Sequence, residues 1–80
     1  MGNREFLKHD RVIRGIAEDF IRDYDLDNEN VDIFLEDTNI IDEISAEVDN
    51  NRALLMNYDD YRQDYIDSVI DTIDYLVRKD

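Results

Sequence analysis

Residues 57–80 read NYDDYRQDYIDSVIDTIDYLVRKD. Two patterns interleave in this stretch. With Asp60 set at zero and about 100° per residue, Asp64, Asp67, Asp71 and Asp74 fall with it inside an arc of about 80°. Tyr58, Tyr65, Val69, Ile73 and Leu76 fall at about 140–220°, on the other side. An apolar stripe backed by a polar one is the pattern of an amphipathic helix with one buried face. Arg78 and Lys79 suit the negative C-terminal end of that helix. The spacing predicts a helix from about Arg52 to Arg78. Arg62 falls inside the apolar arc. It is expected either past the edge of the core or paired with an acid of the middle segment. Tyr61 should lie with Tyr58 and Tyr65 on or near the packing face. Tyr75, at about 60°, stands beside the aspartates, where a partner would touch it.

Working outward, residues 4–24 form the matching long helix. Phe6, Ile13, Ile16, Ala17, Phe20 and Tyr24 share one side. Arg4, Lys8, Arg11, Arg14 and Arg22 lie roughly opposite. Gly15 falls mid-helix on the outer face, where it costs about 1 kcal/mol relative to Ala. It is read as a tolerated exposed glycine or as a close contact with a partner. His9, the one histidine, falls among the inner residues and is read as a satisfied, partly buried side chain.

Between the long helices, DYDLDNEN breaks the pattern, because Asp and Asn side chains bond nearby backbone and cap helices. VDIFLED reads as a short helix from about Asn30 to Asp37. Alternation of Val31, Ile33 and Leu35 also permits a strand, which would have nothing to pair with. Asn39 is expected to cap IIDEISAEVD, with Asp42 in its first turn and Ile41, Ile44 and Val48 inward. The fold expected is all-α: one domain over 1–80, a small bundle of two long helices (about 4–24 and 52–78) and one or two short ones.

The charge is the second message. The chain carries 22 acids against nine Lys and Arg, a net −13 over 80 residues. Residues 1–22 carry +1 and residues 23–77 carry −15, so the field comes from the last two-thirds. High charge can mean disorder, but 42% hydrophobic residues in regular pattern and no proline argue for a folded chain. There is no cysteine, so no disulfide and no thiolate metal site. No leader-like or membrane-length apolar run occurs, and a cytosolic location is expected. No phosphate loop or nucleophile motif is present. No enzyme activity, no cofactor and no metal are expected. Direct nucleic-acid binding is disfavoured, since an acidic field repels phosphate.

DLDNENVDIFLE has calcium-loop spacing, with Asp25, Asp27, Glu29 and Glu36 at positions one, three, five and twelve of such a loop. It departs where a glycine is needed (Asn30) and where an apolar residue packs (Asp32). A calcium-binding protein is the least favoured alternative.

The candidate binding residues are therefore the acids themselves. Asp60, Asp64, Asp67, Asp71 and Asp74 form one row, with Asp59 counted beside it. Glu36, Asp37, Asp42, Glu43, Glu47 and Asp49 would form a second if the short helix packs alongside. The row from Asp60 to Asp74 spans roughly 21 Å, about one charge per 5 Å, against one phosphate per about 3.4 Å of a DNA strand. Like charges at i,i+4 cost a few tenths of a kcal/mol per pair, and here no lysine is interleaved to relieve them. A merely solubilising acidic face is the plain alternative.

In size, charge and helical build, residues 23–77 resemble phage DNA-mimic proteins of the Ocr-like anti-restriction and acidic anti-CRISPR classes. The resemblance lies in composition, not in a motif. It implies an inhibitor, monomeric or homodimeric, that acts in the host cytoplasm. It would occupy the DNA site of a basic host DNA-binding protein or nuclease complex, with carboxylates standing in for phosphates. The alternative is a protein-binding inhibitor or antitoxin-like module working through apolar and mixed contacts.

Overall fold

The structure is a computed structural model that describes the backbone of residues 3–78 and the side chains of residues 11–78. Among the described residues four α-helices follow one another: α1 Asn3–Tyr24, α2 Val31–Glu36, α3 Thr38–Asn50 and α4 Tyr58–Arg78, with a 3-10 turn at Arg52–Leu54. No strand occurs among the described residues, so VDIFLE is helix. The expected faces of Phe6, His9, Arg4 and Lys8 lie outside the described side chains.

The apolar stripes explain the assembly. Ile13, Ile16, Ala17 and Phe20 of α1 meet Tyr65, Ile66, Val69 and Ile73 of α4, and Ile40, Ile44 and Val48 of α3 close the core. Val31 and Phe34 of α2 complete it, Phe34 against Phe20 and Tyr24 at ring separations of 6.2 and 5.0 Å. No polar or charged side chain is buried among the described residues. The molecule measures 34 × 26 × 17 Å. Its long axis is that of a 22-residue helix, and its thickness is about two helix layers.

Helix ends follow local chemistry. Asp25 adopts the left-handed conformation (φ 52°), and the N–H groups of Asp25 and Leu26 return to the carbonyls of Arg22 and Ile21. This is a Schellman end, which satisfies the last carbonyls of α1. Asp27 Oδ1 then accepts the N–H groups of Glu29 and Asn30, and Asn30 Oδ1 accepts that of Asp27. These Asx bonds lead the chain into α2.

Four expectations need correction. The cap of α3 is Asp37, whose carboxylate accepts the Asn39 N–H at 2.9 Å. Asn39 is itself inside the helix, because the single residue between α2 and α3 must end one and begin the other. In α3, Ile40 is buried and Ile41 only half-buried. The last helix starts at Tyr58, not Arg52. Two helices that pack on each other need a reversal between them, and 51–57 supply it: Leu55 is extended and buried, and Asn57 is left-handed (φ 51°). Finally, Tyr61 is 49% exposed, because its own backbone is non-helical (φ −117°, ψ 17°) and kinks α4 there.

Candidate partner-binding surface

Beyond the kink, α4 is regular, and it carries Asp64, Asp67 and Asp71 on its exposed side. These three span about 10 Å of helix. None has a basic partner among the described residues; Asp67 accepts a bond from Gln63 Nε2 at 3.0 Å. Tyr75, 65% exposed, stands on the same helix as expected. The apolar stripe opposite is buried as expected at Tyr65, Val69 and Ile73, with Tyr58 and Leu76 half-buried, and Ile66 joins it.

The other acids of the predicted row have different surroundings. Asp59 and Asp60 precede the kink, so Asp60 leaves the phase of the row and Asp59 does not join it. They border a shallow depression with Arg52, Asn57 and Tyr58. Asp74 is held by Arg78 at 2.6 Å, and Arg78 also reaches Asp32 of α2. Asp49 is bound in two places by Arg62, at 2.9 and 3.2 Å, and the Tyr58 hydroxyl also donates to it. Arg62 therefore does pair with a middle-segment acid. Its hydrogen bond holds the Asp49 carboxyl below the usual carboxylate range, and Asp49 in turn raises the Arg62 guanidinium.

The second set of acids does not form one row beside α4. Glu36 and Asp42 are exposed, and Asp37 is committed to its cap. Glu43 and Glu47 border α1 instead, across a groove between α1 and α3. Glu43 accepts the Tyr24 hydroxyl at 2.5 Å, a bond that, with partial burial, raises the tyrosine's pKa.

The Asp25–Glu36 segment does not converge as a cation loop. Asp25 ends α1, Asp27 is spent on backbone N–H groups, and Glu36 closes α2. No grouping of three acidic or histidine side chains suited to a metal occurs among the described residues. No helix of the described residues is long and apolar enough to cross a membrane.

The chain matches no known protein family, no curated protein and no solved structure. Its function has to be argued from its own surface. That surface holds one feature the helical wheel misplaced. Gly15, expected on the outer face of α1, is half-buried and lines the α1–α3 groove. A wheel assumes one core direction, whereas α1 has α4 on one side and α3 on another. The only sequence signal was the glycine itself, a weak helix former in mid-helix.

Proposed function

We propose that the protein is a non-enzymatic acidic inhibitor that occupies the DNA site of a basic DNA-binding or defence protein, of restriction or CRISPR type. The observation that carries this reading is the run Asp64, Asp67 and Asp71: three exposed carboxylates on one regular stretch, unrelieved by any basic side chain among the described residues. Folding alone disfavours such a run, because repulsion at i,i+3 and i,i+4 costs a few tenths of a kcal/mol per pair. A target lined with Lys and Arg would reverse that sign. Association would be fast, steered by the −13 field, and sensitive to salt. The partner is a basic host protein met in the host cytoplasm, and nucleic acid enters only as a competitor.

The experiment is the triple variant Asp64→Asn, Asp67→Asn, Asp71→Asn. All three positions are exposed, so the fold should persist with equal or slightly higher stability. Charge pairs across interfaces couple by about 1.5–7 kcal/mol when close, and far less at the rim. Three losses should weaken target binding at least roughly tenfold, most at low salt. A short duplex should compete with the wild-type protein. The target is first recovered from a bacterial lysate on the wild-type protein at low and high salt. A folded triple variant with wild-type affinity, or a complex indifferent to DNA, rejects this function.

A further inference from the structure

The groove between α1 and α3 is a second surface, and its chemistry differs from that of the α4 row. α1 packs chiefly on α4 and far less on α3, so the two helices leave an open channel between them. Its floor carries Val12, Ile16 and Phe20 of α1, Ala46 of α3, and Leu54 at the end, where Asn50 and Asn51 also line it. Leu54, which ends the 3-10 turn after α3, is 62% exposed. The rim is acidic. Asp19, Asp23, Glu43 and Glu47 border the channel against one base, Arg11. Arg22 offsets Asp19 and Asp23 from outside it, at 2.7 and 3.7 Å. Glu47 has no ionic partner among the described residues.

Gly15 lies in this channel, and a Cβ there would meet nothing within 4 Å among the described residues. Its backbone is ordinary right-handed helix, with no positive φ. Neither packing nor dihedral angle requires a glycine, yet it costs about 1 kcal/mol against Ala. Nothing among the described residues offsets that cost. What glycine does provide is bare backbone on the floor, open to close approach from outside.

We infer that this groove docks a basic amphipathic helix of a partner protein. Apolar side chains at i, i+3, i+4 and i+7 would enter the floor, and Lys or Arg on their flanks would meet Asp23, Glu43 and Glu47. From Arg11 to the Tyr24–Glu43 bond, which joins the two walls at its far end, the channel runs about 20 Å, the length of three to four helical turns, which suits the helix-in-groove mode of recognition. Charge selects this occupant over the others. A second copy would bring −13 against −13, and nucleic acid would bring phosphate to an acidic rim. The inference stands on the α1–α3 channel alone and does not rest on mimicry by α4.

The probe is a synthetic Leu/Lys/Arg peptide of about four helical turns with Leu at helical spacing. Its control has the same composition, shuffled to abolish the apolar face. Affinities are measured by calorimetry, and the site by amide shift changes, at low and moderate salt. The amphipathic peptide should bind at least about tenfold tighter than the control, and the preference should survive moderate salt. Shifts should centre on Gly15, Ala46 and Leu54. Gly15→Leu should weaken that binding at least about tenfold while melting at or above the wild-type temperature. Should that variant fail to fold, the pair Glu43→Gln, Glu47→Gln serves instead and should weaken the amphipathic peptide selectively. The Asp64, Asp67, Asp71 triple variant should keep the preference, which separates this site from the proposed function. Equal binding of both peptides, shifts centred on α4, unchanged affinity in Gly15→Leu, or groove shifts that track self-association in sedimentation would each overturn the inference.

Discussion

Asp49 is one of the acids whose neighbours change its meaning. In sequence it is one carboxylate among many. In the fold, Arg62 grips it from α4 and Tyr58 donates to it. Its folded pKa is lowered, chiefly by the Arg62 hydrogen bond. In the window between the folded and unfolded values, the native state binds fewer protons than the unfolded chain. The pair's contribution is therefore present above the ordinary Asp pKa and is lost as pH falls through the lowered folded value. A double-mutant cycle with Asp49→Asn and Arg62→Gln should give stabilising coupling in melting temperature near neutral pH. The coupling should decline below the ordinary carboxylate pKa of about 3.9 and vanish in stronger acid, below the lowered folded value. Coupling that persists fully into strong acid would mean that charge does not hold this contact.

Helix ends decide how the elements join. α2 and α3 are separated by Asp37 alone, and this residue does both jobs. Its N–H closes α2 on the Phe34 carbonyl at 3.3 Å, and its carboxylate opens α3 on the Asn39 N–H. Removing a cap of this kind costs about 1 kcal/mol. Asp37→Ala should lower stability by about that amount in urea denaturation. Asn39→Ala, inside the helix and exposed, should change it by less than about 0.5 kcal/mol. The opposite ranking would restore Asn39 as the cap. At the other junction, the Tyr65 hydroxyl donates to the Met56 carbonyl at 2.6 Å. It thereby anchors the reversal that begins α4. Burial, then the nearby Tyr61, raises the Tyr65 pKa.

For the whole molecule, repulsion outweighs pairing. Residues 11–78 contain 19 acids against six arginines. The surface pairs that do form, such as Arg14–Glu18 at 3.2 Å, are half-exposed and individually weak. Salt at about 0.1 M shortens the reach of these charges to roughly 10 Å. It should weaken the few attractions less than the many long-range repulsions. The melting temperature should therefore rise as sodium chloride is added to about 0.2 M. The rise should be smaller in the Asp64, Asp67, Asp71 triple variant. A flat or falling curve would show that the ion pairs, not the repulsion, dominate.

The all-α class, the two long helices and most of the core could be read from sequence, because each depends on local period. Ile13, Ile16, Ala17 and Phe20, or Val69 and Ile73, sit on one face whatever they pack against. The exposed row of Asp64, Asp67 and Asp71 follows from the same geometry. What the period could not carry was direction and pairing. The start of α4 at Tyr58, the kink at Tyr61 and the outward turn of that ring come from the reversal that brings α4 back onto the bundle. That Asp49 is held by Arg62 and Asp32 by Arg78, and that Glu43 and Glu47 face α1, depends on which helix lies next to which. Gly15 shows the same division. Its helical state was evident from the residues around it, but its place in a channel was not. A channel is formed by two helices far apart in sequence, and only their packing leaves the space between them open.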